Sequence, residues 1–124
     1  MLTSIKNPRI QQIRKLQSSA RTRRKEGLFV VEGVRLVEEA MMAGWQPTIV
    51  LFTEDINERG QQVVDHFRAA GSEVLVVAPH VMEATSDTQT PQGILAVLPI
   101  PEWELSDIQM QVMSRQLRML KNGM

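Results

Sequence analysis

Four short apolar runs constrain this chain more than any other feature: LFVV at 28–31, TIVLFT at 48–53, EVLVVA at 73–78 and ILAVL at 94–98. Each is too short for an ordinary helix, rich in β-branched residues and apolar without alternation, the pattern of a strand covered on both faces. Between them lie amphipathic segments. Residues 34–43 carry Val34, Val37, Ala40 and Met41 at helical spacing and stop at Gly44, and residues 57–70 carry Val63, Val64, Phe67 and Ala70 and stop at Gly71. Residues 79–85 read as a short helix. Strands alternating with helices imply crossover connections, so this order predicts an α/β fold: a three-layer α/β/α sandwich with a mainly parallel central sheet.

A further helix precedes the first strand. Asn7 is a good cap and Pro8 loses no hydrogen bond at the first helical position. From there Ile10, Ile13, Leu16 and Ala20 make one apolar stripe, so a single helix is expected over 8–25, ending before Gly27. At the other end Pro99-Ile100-Pro101 stops the last strand. The expected organisation is one domain over 1–99, then a linker and an amphipathic helix over 100–124 whose stripe contains Met110, Met113, Leu117 and Leu120. That stripe suits packing on this domain or on a second copy, which would make a homodimer.

The zero formal net charge conceals a strong asymmetry. Lys6, Arg9, Arg14, Lys15, Arg21, Arg23, Arg24 and Lys25 fall in the first 25 residues without one acid, while all fourteen acidic residues lie beyond them. Arg14 and Arg21, seven apart, would share a helix flank. Cations displace counterions from phosphates, and the guanidinium fork binds phosphate oxygens in pairs, so this cluster suits a polyanion such as RNA. A charge run is also simply a solvated face. Two other readings of such a start, an anionic membrane surface and a mitochondrial transit peptide, fit less well: the stripe lacks interfacial Trp and Phe, and the domain follows at once.

Several function classes are excluded. The chain has no cysteine, so thiol, disulfide and thiolate-metal chemistry are absent. His66 and His80 have no partner at ligand spacing, so no metal is expected. No apolar run approaches a membrane span, and the start lacks a signal-peptide core, which reads as a soluble, cytoplasmic protein. There is no GxGxxG, Walker loop or GxSxG, and no nucleophile beside a base. Phe29, Phe52 and Phe67 fall at buried positions, leaving Trp45 and Trp103 as the candidate stacking groups.

Two turns remain. Glu32-Gly33-Val34-Arg35 lies where a strand enters a helix N-terminus, a place whose free N–H groups favour an anion, with Arg35 able to add a fork. From spacing alone the favoured reading is a tight βα turn with Gly for geometry. Thr88-Gln89-Thr90-Pro91-Gln92-Gly93 presents hydroxyls and amides suited to RNA sugars or base edges, or is a Pro-Gly turn into a strand.

Three stretches, TSIKNPRIQQIRKL, FVVEGVRLVEEAMMAG and SDTQTPQGILAV, closely resemble in this order the N-terminal substrate-binding domain of SpoU-type (TrmH family) RNA 2′-O-ribose methyltransferases, over about residues 2–104. The resemblance implies a domain similar to kink-turn-binding ribosomal proteins, which holds ribosomal or transfer RNA for a knotted catalytic domain that uses S-adenosylmethionine. After Leu105 the sequence departs from the family, and the knotted domain is expected to be missing. The combined expectation is an RNA-binding substrate-recognition domain without methyl-transfer activity or cofactor of its own. Its contacts would come from Lys6, Asn7, Arg9, Arg14, Lys15, Arg21, Arg23, Arg24, Glu32, Gly33, Arg35, Gln89, Thr90 and Gln92. The alternative is a protein-interaction or dimerisation module; a transferase completed by a partner in trans is a third.

Overall fold

The computed structural model describes residues 1–89 and 91–101. The expected helix with Met110 and Leu117, the dimer through it, Trp103 and Thr90 lie outside the described residues. In chain order the elements are α1 (Pro8–Ser18), α2 (Ala20–Glu26), β1 (Leu28–Glu32), α3 (Val34–Met42), β2 (Ile49–Phe52), α4 (Glu58–Ala69), β3 (Glu73–Val76), α5 (Pro79–Thr85) and β4 (Ile94–Pro99).

All four apolar runs form strands, but the sheet is not mainly parallel. Its order is β1-β4-β2-β3; β4 pairs antiparallel with both β1 and β2, and only β2 and β3 pair in parallel. The expectation fails for a specific reason. Crossover helices α3 and α4 do make β1, β2 and β3 run the same way. The last strand then inserts between β1 and β2 in the opposite sense, and a continuous apolar run looks alike in either direction.

Side chains alternate across the sheet. Val31, Val50, Phe52, Ile94, Ala96 and Leu98 meet α3 and α4 on one face, through Val34, Val37, Ala40, Val63, Val64 and Phe67. Ile49, Leu51, Leu95 and Val97 meet α1 and α5 on the other, through Ile10, Ile13, Leu16, Val81 and Met82. Helices therefore cover both faces, giving three layers. Burying each of Ile10, Ile13 and Leu16 stabilises the docked α1 by about 1.5–3 kcal/mol relative to leaving it in water. The N-terminus is tied as well: Leu2 N–H donates to the Val76 carbonyl at 2.9 Å and Ala78 N–H to the Leu2 carbonyl at 2.8 Å.

The single helix expected over 8–25 is broken. Ser19 is extended (φ −136°, ψ 111°), and its side chain accepts the Thr22 N–H, so it closes α1 and caps α2. A serine hydroxyl competes with helical hydrogen bonding and favours such a cap. Ala20 is exposed as a result, α2 buries no residue, and Arg14 and Arg21 do not share one helix flank. Gly27, left-handed at φ 66°, ends α2 and turns the chain into β1.

Candidate nucleic-acid interface

The basic residues are sorted by the packing of α1. With Ile10, Ile13 and Leu16 inward, Arg9, Arg14 and Lys15 remain exposed. Asn7 is the helix cap, its Oδ1 accepting the Arg9 N–H at 2.9 Å. Arg9 pairs with Glu73 at 2.7 Å. Both side chains are open to solvent, so this pair is readily exchanged for another anion. Arg9 and Lys15 also line a groove of about 510 Å³ with Pro8, Gln11, Gln12 and Glu26, where Gln12 donates to Glu26 at 2.9 Å.

Beyond the break at Ser19, Arg21, Arg24 and Lys25 are exposed on α2. Arg23 differs. Its guanidinium folds back to donate to the carbonyls of Leu16 (2.5 Å) and Gln17 (3.3 Å), closing the C-terminal end of α1 where a cation is favoured by the helix dipole. Lys6 is exposed ahead of α1, its N–H donating to Ser4 Oγ.

The two turns, sixty residues apart in sequence, meet at one end of the sheet. Gly33 has φ 94° and donates its N–H to the Ile94 carbonyl at 3.0 Å; a Cβ there would lie 2.7 Å from Gln92 Oε1. Gly33 is thus required for its backbone angle, and a side chain there would also push the Gln92 amide aside. Gly93 follows at φ 83°, its carbonyl accepting the Thr53 N–H at 2.9 Å. Gln92 and Gly93 line a second groove of about 360 Å³ with Thr53, Asp55, Ile56, Asn57, Pro79, Met82, Glu83 and Pro91. Gln89 and Arg35 are exposed, Arg35 on the first turn of α3.

Glu32 faces inward along β1 to the same side as Leu28 and Val30. Its Oε1 accepts from Ser86 Oγ at 2.6 Å, and its Oε2 accepts from the Asp87 N–H at 2.9 Å and from Gln17 Nε2 at 3.2 Å. Gln17 and Ser86 were not singled out from sequence. Nothing in an isolated Gln or Ser marks such a partner, although Gln17 stands one turn after Arg14 on α1.

The charge asymmetry becomes spatial. The α1–α2 side holds the eight N-terminal cations, whereas α3, α4 and their loops hold Glu38, Glu39, Glu54, Asp55, Glu58 and Asp65. In that acidic layer Arg59 makes a two-bond pair with Glu38, whose carboxyl is held below its ordinary value chiefly by the Arg59 hydrogen bond. Trp45 is not available for base stacking: it is 8% exposed and packs edge-on against Phe29 with ring centroids 5.5 Å apart. Among the described residues there is no cluster of metal-ligating side chains and no helix long and apolar enough to cross a membrane.

Known proteins share this domain. The family model of the MRM3-like substrate binding domain matches residues 7–96. The chain is 30% identical over 105 residues to the 23S rRNA (guanosine(2553)-2′-O)-methyltransferase RlmP of Bacillus subtilis, covering 85% of this chain and 40% of that protein. It superposes on the crystal structure of an RNA 2′-O ribose methyltransferase with a TM-score of 0.72 and 32% identity, covering 86% of this chain and 40% of that one. The rRNA methyltransferase from Sinorhizobium meliloti, also solved with AdoMet bound, gives a TM-score of 0.72 at 26% identity over 86% of this chain and 39% of its own. The chain thus spans about two fifths of the length of these relatives.

Proposed function

Because the chain belongs to the family of MRM3-like substrate-binding domains of SpoU-type RNA methyltransferases, we propose that it binds RNA through the α1–α2 side and presents it for 2′-O-ribose methylation. The observation that carries this reading is the sorting of charge by layer. The exposed cations Lys6, Arg9, Arg14, Lys15, Arg21, Arg24 and Lys25 lie on or just ahead of two consecutive helices whose one acid is Glu26, and six of the acids, Glu38, Glu39, Glu54, Asp55, Glu58 and Asp65, lie behind the sheet. Phosphate contacts of this kind fix position and orientation without reading sequence. Selectivity then falls to the junction of Gly33, Arg35, Gln89 and Gln92, which offers amides and one guanidinium to sugar hydroxyls and base edges.

Ribosomal RNA is the favoured substrate class, since both named relatives with a stated substrate act on rRNA; transfer RNA is the competing one. Methyl transfer is assigned to a catalytic domain outside residues 1–101, in the cytoplasm. AdoMet supplies the methyl group in such enzymes. The groove beside α1 is lined mainly by charged and amide side chains, and both it and the groove at Gln92 are open to solvent, unlike the enclosed, mostly apolar pocket that a ligand of that size requires. The test is direct competition between an rRNA fragment and tRNA for the chain, with calorimetric titration of AdoMet alongside. Preference for rRNA and no heat from AdoMet is the expected result; AdoMet binding by residues 1–101 would overturn the division of labour.

A further inference from the structure

We infer that Glu32 is a positioning residue: its carboxylate fastens the loop after α5 to α1 and β1, and so holds the Gln89 and Gln92 side of the interface in place against Gly33. This deepens the RNA-binding reading above and rests on it. Both carboxylate oxygens are occupied by the protein itself. Ser86 Oγ donates at 2.6 Å, the Asp87 N–H at 2.9 Å and Gln17 Nε2 at 3.2 Å. The donors come from two separate segments, one of which carries Arg14 on its preceding turn.

The bonds continue outward in a chain. Ser86 Oγ also accepts the Thr88 N–H at 3.1 Å and lies 3.1 Å from Thr88 Oγ1, so the order imposed at Glu32 passes on to Thr88. Gln17 is held in place on its other side, where Nε2 donates to the Thr85 carbonyl at 3.0 Å, at the end of α5. At the far end of the loop Gly93 and Ile94 are fixed by backbone bonds to Thr53 and Gly33. Between these anchors the described residues have no regular secondary structure, and Asp87, Thr88 and Gln89 are exposed. Glu32 is therefore the side chain that fastens its first half. An acidic residue at a polyanion interface is otherwise unfavourable; here its charge is directed inward to three donors.

Chemistry separates this role from a direct contact. Glutamine can reproduce the arrangement, with its oxygen accepting from Asp87 and Gln17 and its NH2 donating to Ser86 Oγ, whereas alanine removes all three bonds. Amide hydrogen exchange of Glu32→Ala should show faster exchange at Asp87 and Thr88 with β2 and β4 still protected. Its RNA affinity should fall about tenfold with an unchanged salt slope, the loss expected when charged-group hydrogen bonds that order a contact are removed. Glu32→Gln should restore most of both. Ser86→Ala, which leaves Glu32 in place, is the second variant should Glu32→Ala not fold, and should loosen Asp87 and Thr88 to a smaller degree.

Wild-type exchange at Asp87 and Thr88 in these variants would overturn the inference. So would equal loss of affinity in Glu32→Gln and Glu32→Ala with the loop still protected, since that marks Glu32 as an RNA contact. If the unmodified chain binds no RNA, it is the function proposed above that fails, and the exchange result alone decides whether Glu32 orders the loop.

Discussion

Gly33 and Gly60 are two glycines whose roles differ. At Gly33 the backbone sits at φ 94° with Gln92 against it, so Gly33→Ala should cost about 1–3 kcal/mol in chemical denaturation and displace Gln92. Gly60 lies within α4, where a Cβ would meet Ile56 Cδ1 at 2.4 Å and Val34 Cγ2 at 3.1 Å. There the cost of Gly60→Ala, again about 1–3 kcal/mol, comes from overpacking against Ile56, in the loop before α4, and Val34 of α3, and RNA binding should be unaffected. The turn glycine was legible in sequence as the end of a strand before a helix; the packing glycine was not, because its reason lies in how Ile56 and Val34 fold against α4. A third residue-scale expectation concerns Glu38. Its folded pKa is depressed by Arg59, so the pair contributes stability above the ordinary glutamate range and loses it as pH falls through the folded value. The stability difference between wild type and Arg59→Gln should therefore shrink on acidification; a difference that persists in acid would contradict it.

α1 shows how an element divides stability from function. Ile13 and Arg14 are neighbours on opposite faces. Ile13→Ala should lose about 2–5 kcal/mol of stability, as buried aliphatic truncations do, whereas Arg14→Ala should stay within about 0.5 kcal/mol and weaken RNA binding instead. The apolar stripe of this helix was legible because Ile10, Ile13 and Leu16 keep helical spacing. The break at Ser19 was not, since QSSART continues the same composition and only the side-chain bond to Thr22 decides the cap. That break also gives Arg23 its structural task at the α1 carbonyls, which no spacing rule reveals. Likewise the strand existence of β4 was plain from ILAVL, and its direction was not.

At the scale of the whole molecule the sheet acts as a divider. It separates a basic α1–α2 side from an acidic α3–α4 side, and a sequence sum of zero becomes a polarised surface. The N-terminal cluster was visible as an acid-free stretch; that six acids on α3, α4 and their loops stand behind the sheet from it required the topology. The meeting of Gly33 with Gln92 is a consequence of the same topology, because placing β4 beside β1 brings the FVVEG and TPQG stretches to one end.

The central claim, that RNA docks on the α1–α2 side, is tested most directly by the salt dependence of rRNA binding for the unmodified chain, Arg14→Glu and Arg68→Glu. The two reversals change net charge equally but sit on opposite layers. With roughly four to five phosphates neutralised, log K should fall with log salt at a slope of about −3, Arg14→Glu should lose affinity and flatten that slope, and Arg68→Glu should behave as the unmodified chain. A slope near zero, or equal loss in both variants, would contradict the account.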